Sequence, residues 1–342
     1  MEIRLPKALV LPVNAADPSR TGHVRRQAAA LGSSLDFTEV EQGEFAIIVT
    51  EAAANIAAHG GEGEILLIPW RFSNTVGVDV LAIDKGQGMP DIGRALEDGY
   101  STGGTAGEGL GAISRLASTL QIYSAPGHGT VLFARVVNGK PATEISGDPP
   151  LGSISVAVAG ETECGDAWAA DYTRNRSLYL VADGLGHGPL AAEAAREAVR
   201  VFHEAPHLAP ERILADIHHA LVKTRGAAVS IAEISHDEAV VNFAGVGNVA
   251  GAILDGGKTR SMVSMNGTLG HTIGRIQAFR YPWSKNSTLL MHSDGLASRW
   301  NLDQYSGLAS RHPALIAGVL YRDFSRKRDD VTILVSRIQG ND

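Results

Sequence analysis

The chain has 342 residues, 44% hydrophobic and 20% charged, enough for about two globular domains that each bury a core. A formal net charge of −7 and short basic clusters such as Arg25-Arg26 and Arg326-Lys327-Arg328 argue against nucleic acid or an anionic membrane as partner, since both are held by clustered Lys and Arg. The single cysteine, Cys164, excludes an intrachain disulfide and fits a reducing compartment.

In chain order, the N-terminus carries charges at Glu2, Arg4 and Lys7 and does not read as a signal peptide. No segment approaches the roughly 20 apolar residues that span a bilayer, so a cytoplasmic protein is expected. Residues 38–59 predict a helix stopped at Gly60-Gly61, and 64–70 and 76–83 predict strands joined by a turn at Ser73-Asn74. A glycine-rich stretch, 86–111, holds a short helix near 91–97. A helix over 108–119 and strands near 120–124 and 129–137 complete a first domain, expected as one helix layer over a mixed sheet. The polar segment from Asn138 to Leu151, with three prolines, reads as a linker, giving domains over 1–137 and 151–342 joined by 138–150.

The second domain predicts strands near 153–159, 167–172 and 177–181, then helices over 189–204 and 210–224. Strands follow near 228–234, 239–244, 249–254 and 287–292, with a helix around 308–320 and a last strand at 331–335. The class is α+β: an α/β sandwich, then a β-sandwich flanked by helices.

Glu51 and Asn55 lie four apart and share one helix face. An amide oxygen there can coordinate Mg²⁺ while the carboxylate orients or deprotonates a hydroxyl, although a helix end facing water presents the same pair. The apolar strand 78–83 ends at Asp84, followed by Gly86 and Gly88. An acid at that point can accept a hydrogen bond from an adenine amino group, and glycines permit close backbone approach. Further on, Gly103-Gly104 and Gly107, Gly109 and Gly111 run into a helix whose N-terminal N–H groups suit phosphates. No Gly-Lys-Ser/Thr closes the run, so it is not a Walker A loop.

In the second domain two apolar strands end in Asp-Gly, at Asp183-Gly184 and Asp294-Gly295, with Gly165-Asp166 upstream and Asp329-Asp330 downstream. One Asp-Gly is usually a turn, but four acids at strand ends can converge on one sheet edge and select hard cations such as Mg²⁺ or Mn²⁺. Two such ions polarise a phosphate ester. Cys164 has no basic neighbour in sequence and reads as a packed strand residue. His187 falls in an exposed loop, and His218-His219 on a helix surface.

The segments EAAANIAAHG, AIDKGQGMPD, EDGYSTGGTAGEGLGAISRL and APGHGT resemble the successive motifs of the GHKL (Bergerat-fold) ATPases, and more closely the RsbT-type switch kinases that phosphorylate serine in STAS-domain proteins. The resemblance covers about 39–137. It implies Glu51 as catalytic acid, Asn55 as Mg²⁺ ligand, Asp84 on adenine with Gly86 and Gly88 beside it, and Gly107, Gly109 and Gly111 as a lid around the phosphates of ATP. CGDAWAA, VADGLGHGPLAAEAA, KTRGAAVSIA, FAGVGNV, MHSDGL and SRKRDDVTIL resemble the SpoIIE-like branch of the PPM phosphatases, most closely the small RsbX type. That resemblance covers 163 to about 338. It implies that Asp183 bridges two Mn²⁺ or Mg²⁺ ions with help from the Gly184 carbonyl. Asp166, Asp294 and Asp329 complete the set, and Asp330 stands behind them or substitutes. Larger PPM enzymes carry Glu where this chain has Gly165.

Together these resemblances imply a kinase and a phosphatase acting on serine or threonine of a STAS-domain or stressosome partner, in a pathway that controls a sigma-factor regulator. They also allow a homodimer. Three other readings stay open at this level. The first domain could bind ATP only as a sensor or docking module, it could act as an anti-sigma factor, or both domains could be non-catalytic scaffolds.

Overall fold

The computed structural model describes residues 8–17, 19–96, 109–139 and 151–337. They form two compact units, one of Arg4–Asp148 with Gly307–Arg322, the other of Pro149–Ser306 with Asp323–Asp342.

In the first unit the elements run β1 (Leu9–Asn14), α1 (Ser19–Ser34), α2 (Glu39–Asn55), β2 (Glu62–Phe72), β3 (Thr75–Asp84), α3 (Ile92–Ala95), α4 (Gly109–Leu116), β4 (Thr119–Ser124) and β5 (Thr130–Val137). The sheet order is β1-β2-β3-β5-β4, and every neighbouring pair is antiparallel rather than mixed as expected. Short connections at 73–74 and 125–129 make hairpins of β2 with β3 and of β4 with β5. Helix α2 starts with a capping box: Thr38 Oγ1 accepts the Glu41 N–H, and Glu41 Oε2 accepts the Thr38 N–H at 2.8 Å. Its Phe45, Ile48, Val49 and Ala52 bury against Ile65, Leu67, Val78, Val80 and Leu132. Helix α1 joins this layer through Val24, Ala28 and Gly32, spaced four apart on one face.

The second unit contains β6 (Leu151–Val156), β7 (Asp166–Tyr172), β8 (Arg176–Gly184), α5 (Pro189–Glu204), α6 (Pro210–Ala220), β9 (Ala227–Ser235), β10 (Val240–Val246), β11 (Ala250–Asp255), β12 (Lys258–Met262), β13 (Ala278–Pro282), β14 (Thr288–His292) and β15 (Val331–Ser336). Two five-stranded antiparallel sheets result, β13-β10-β9-β8-β7 and β12-β11-β14-β15-β6. Tyr179 on β8 and Ser336 on β15 hydrogen bond at 2.7 Å through their hydroxyls, linking the sheets in the interior. Helices α5 and α6 cover the first sheet, with Ala194, Ala198, Phe202, Ile213 and Ile217 packed on Leu180, Val229 and Ile231.

One further helix, α7 (Pro313–Phe324), differs from expectation. It starts later than predicted, and Gly307–Arg322 is counted with the first unit instead of the second. The reason lies in β2, β3 and β5, whose residues are buried on both faces, so that the face opposite α2 also needs a cover. Helix α7 is buried continuously from Pro313 to Arg322 and supplies part of it. Gly318 permits the approach, because a Cβ there would lie 2.8 Å from Val131 Cγ1 and 3.3 Å from Leu81 Cδ2. His312 stacks on Phe133 with centroids 4.3 Å apart, and its backbone N–H donates to Gln121 Oε1 at 2.8 Å. On the same sheet face, Arg135 forms a two-point ion pair with Asp79 at 2.7 and 2.8 Å and lies 5.0 Å from the Trp70 ring centroid.

Among the described residues no helix is long and apolar enough to cross a membrane. Gly318→Leu is expected to overpack this contact and destabilise the protein by about 1–3 kcal/mol, lowering the melting temperature in a thermal scan. An unchanged transition would show that the helix is not held there.

Candidate functional sites

At the C-terminal end of α2, Glu51 and Asn55 both face Gly109, the first residue of α4. A Cβ on Gly109 would lie 2.7 Å from Glu51 Oε2 and 3.8 Å from Asn55 Oδ1, so glycine is what lets α4 begin this close to the pair. Asn55 Nδ2 is buried and has no hydrogen-bond partner among the described residues. A buried amide of this kind calls for a polar ligand. Directly after Asn55 the helix widens into a π turn, Ile56–Gly60, an irregularity common at functional positions.

Asp84 ends β3, half-buried, with Oδ1 accepting the Gly86 N–H at 2.8 Å. Burial holds its carboxyl above the usual range, although hydrogen bonds from the Gly86 and Thr130 backbones oppose the shift. Three chain segments close around it. A Cβ on Gly86 would lie 2.5 Å from His59 O, and one on Gly129, at φ +67°, would lie 2.2 Å from Asp84 O. Gly88 lies in the same turn with positive φ, and Gly111 is buried on α4. Gly107, also expected near the phosphates, lies outside the described residues. The groups present fit a nucleotide: a carboxylate that can accept from an amino group, and an unpaired amide N–H and a helix start that can donate to phosphate.

In the second unit the register of three strands builds the other site. Asp166 on β7 pairs directly across from Asp183 on β8, which pairs with Ala228 on β9. Like charges directly opposite in a sheet repel. Asp166 is 6% exposed, its Oδ2 is buried without a partner, and its carboxyl is pushed well up, first by burial and then by Asp183. The Asp183 carboxyl is pushed up to about 7, by burial first and by the charges of Asp294 and Asp329 next. Asp294 is raised by burial and by Asp329. These four acids therefore lie within electrostatic reach of one another, and a divalent cation is the natural counter-charge.

The arrangement is not a closed cage, since among the described residues no group of three His, Cys, Asp or Glu stands ready to hold a metal ion. Asp294 Oδ2 accepts from Asn248 Nδ2 at 2.7 Å, and Asp329 Oδ1 accepts the Asp330 N–H at 2.9 Å. The acids fit hard cations by donor type and by their mutual crowding.

Asp330 has a different task from its neighbour. Its two oxygens accept the N–H groups of Val158 and Gly165, both at 2.7 Å, which ties the segment before β7 to the start of β15. Gly165 allows this contact, because a Cβ would lie 2.6 Å from Asp330 Oδ2. A bulky residue at position 165 would displace that carboxylate. Cys164 precedes β7 rather than lying within it, and burial pushes its thiol up to about 12, which removes it as a nucleophile. His187 is exposed and its Nδ1 lies 2.6 Å from Glu161 Oε1, whereas His218 Nδ1 accepts the Gly270 N–H.

Sequence reasoning passed over Asn248, which restrains Asp294, and over Ser293 and Thr332, whose side chains hydrogen bond Asp166. The signals for Asn248 are its place in the segment FAGVGNV and after Gly247, a glycine at φ +98° between two strands. Ser293, just after β14, and Thr332, within β15, lie in the segments MHSDGL and SRKRDDVTIL, where the neighbouring acids drew the assignment.

A three-layer ATPase-like unit and, in the same chain, a two-sheet sandwich with an acidic edge define a nucleotide-binding module and a phosphatase-type module. The chain belongs to the histidine kinase-like ATPase domain family over residues 14–136, and over 173–339 it matches the stage II sporulation protein E (SpoIIE) family. Over 110 residues it is 33% identical to the serine/threonine-protein kinase RsbT of Bacillus subtilis (strain 168), covering 32% of this chain and 83% of that one. Over 138 residues it is 26% identical to the phosphoserine phosphatase RsbX of the same organism, covering 40% of this chain and 69% of that one. The fold also matches the PP2C phosphatase domain with a fragment of the regulatory domain of SpoIIE from Bacillus subtilis. There the TM-score is 0.50 at 17% identity, over 95% of this chain and 96% of the other.

Two outcomes are expected. Asn55→Ala should weaken Mg-ATP binding by about tenfold, the loss of one strong ligand contact, in a calorimetric titration. Unchanged affinity would remove Asn55 from the site. Asp183 holds its proton more tightly folded than unfolded. Its contribution to stability is therefore whole below the ordinary value of 3.8 and is lost as pH rises through about 7. In chelator, Asp183→Asn should accordingly gain melting temperature relative to wild type between pH 4.5 and pH 8. A difference independent of pH would show that Asp183 is not under this electrostatic load.

Proposed function

We propose that this chain is a two-way signalling switch, with a kinase domain over 1–137 and a metal-dependent phosphatase domain over 151–342. The first phosphorylates, and the second dephosphorylates, serine or threonine on a partner protein. The observation that carries the reading is that Glu51 and Asn55 meet at the start of α4 in one unit, while the paired acids Asp166 and Asp183 crowd a sheet edge in the other.

In the kinase domain Asp84 would hold the adenine amino group, with Gly86 and Gly88 beside it. The glycines at 107, 109 and 111 would close on the phosphates, and Asn55 would hold Mg²⁺. Glu51 orients the acceptor hydroxyl and takes its proton as the γ-phosphoryl leaves ADP for the serine oxygen. Similarity to a serine/threonine-protein kinase over most of that protein's length supports a protein acceptor.

In the phosphatase domain Asp166, Asp183, Asp294, Asp329 and the Gly184 carbonyl would hold two Mn²⁺ or Mg²⁺ ions. When bound, these ions supply the positive charge that polarises the phosphate ester and acidifies the attacking water. The chain's own part is to fix the acids at strand ends: Ser293 and Thr332 orient Asp166, and Asp330 anchors the edge behind them. The resemblance to RsbT-type and RsbX-type proteins supports a STAS-domain partner in a stressosome or partner-switching pathway of the cytoplasm.

The test is phosphoryl transfer from labelled ATP to a STAS-domain protein encoded beside this chain, using Asp183→Asn so that product is not erased. Label should accumulate on the partner and disappear when wild-type protein and Mn²⁺ are added. ATP binding without transfer to it would reduce the first domain to a nucleotide sensor or docking module. Label that persists after wild-type protein is added would refute a shared substrate.

A further inference from the structure

The acidic edge of the second unit has an exposed cation beside it, on the β9 side, that nothing above employs. Arg225 lies two residues before β9, whose Ala227 and Ala228 pair with Gly184 and Asp183. It therefore stands at the same sheet edge as the paired acids, one strand over. The loop after Asp183 is joined to it directly, since the Leu185 N–H donates to Gly226 O at 3.0 Å. The guanidinium lies along that loop, and a Cβ built on Gly186 would be 3.1 Å from Arg225 Nη1.

The turn that carries Arg225 is firmly held. His271 Nε2 donates to Arg225 O at 2.8 Å, and the Gly226 N–H donates to Thr224 Oγ1 at 3.0 Å. Thr224 Oγ1 in turn donates to Leu221 O at 2.8 Å. Gly226, at φ +78°, packs so closely on Leu269 O that a Cβ would come within 2.6 Å. A fixed backbone thus presents an exposed side chain, and among the described residues Arg225 makes no ion pair with any carboxylate.

The surface of a folded protein offers an arginine many acidic partners, and four acids lie at this same edge. A guanidinium that pairs with none of them, yet is held beside the loop that follows Asp183, is placed to receive an incoming anion. Its planar fork matches two oxygens of a phosphoryl group. We infer that Arg225 is the residue that recognises the phosphoryl group of the substrate, a phosphoserine or phosphothreonine monoester, at the edge of the second unit. The inference rests on the phosphatase reading of that unit and gives it a specificity-determining residue. The acids would hold the cations, and Arg225 grips the phosphoryl oxygens of the incoming dianion from the β9 side of an edge crowded with carboxylates.

The experiment is calorimetric titration of inorganic phosphate into the manganese-loaded full chain as wild type, Arg225→Ala and Arg225→Lys, with p-nitrophenyl phosphate hydrolysis measured alongside. Loss of a charge-assisted two-point contact should weaken phosphate binding by about tenfold in Arg225→Ala. KM for p-nitrophenyl phosphate should rise in proportion while kcat changes less. Arg225→Lys should recover part of the affinity, because it restores charge without the fork. Equal phosphate affinity in all three proteins, at equal melting temperatures, would overturn the assignment, as would a wild-type protein that binds no phosphate. Phosphate binding by wild type that Arg225→Ala loses, without any hydrolysis, would support the phosphate contact and refute the phosphatase reading alone.

Discussion

The second unit depends on the repulsion between two carboxylates that the sheet places face to face. Asp166 and Asp183 cannot move apart, because β7 and β8 pair in register from Asp166↔Asp183 through Tyr172↔Ser177. A slip of one residue would turn Leu178 and Leu180 out of the helix-covered core, so hydrophobic burial fixes the electrostatic strain. Asp294 and Asp329 arrive from the other sheet and add to it. The protein concentrates negative charge where its strands end, and packing energy elsewhere offsets the cost. Such an edge is stable only as far as the sandwich behind it is well packed, which makes the interior Tyr179–Ser336 link and the Asp330 anchor part of the site.

The first unit solves a different problem by omission of side chains. What shapes the region around Asp84 is the closeness with which backbone can approach. Gly86 rests on His59, Gly129 on Asp84 itself, and Gly109 on Glu51. The π turn after Asn55 belongs to the same design, since it redirects the chain without disturbing the helix that carries Glu51 and Asn55.

The parts of this molecule with strong periodicity or punctuation were legible in the sequence. Thr38 and Glu41 mark the start of α2, Gly60-Gly61 the end of the π turn that follows it, and the Asp-Gly pairs the strand ends that hold the acids. Helix α1 was not, because its buried stripe is Val24, Ala28 and Gly32, too small to stand out among alanines and arginines. Strand β12, Lys258–Met262, is exposed but for Met262, and β13 is exposed or half-buried, so neither shows the apolar alternation that reveals a strand. Helix α6 was expected to run to 224 but tightens to a 3₁₀ turn at Leu221–Lys223, where the Thr224 hydroxyl caps back onto Leu221. Pairing of Asn248 with Asp294 and of Ser293 with Asp166 depends on register between strands distant in sequence, which local pattern does not encode.

Helix α7 shows where a boundary drawn from composition and one drawn from packing part company. The segment 138–150 has every mark of a linker, and chain order assigns all that follows to the second domain. Yet Gly307–Arg322 is counted with the first unit, and it falls between the two acids Asp294 and Asp329 of the second. Its apolar residues have no amphipathic stripe to show which side is covered, since nearly all of Pro313–Arg322 is buried. The complementary requirement sits far away in sequence, in Leu81, Val131 and Phe133 on the second face of the first sheet. Division of the chain at 138–150 would therefore separate two sequences without separating two units. The N-terminal part would lose the helix that shields Leu81 and Val131, and its exposed apolar face would then limit its stability as an isolated ATP-binding domain.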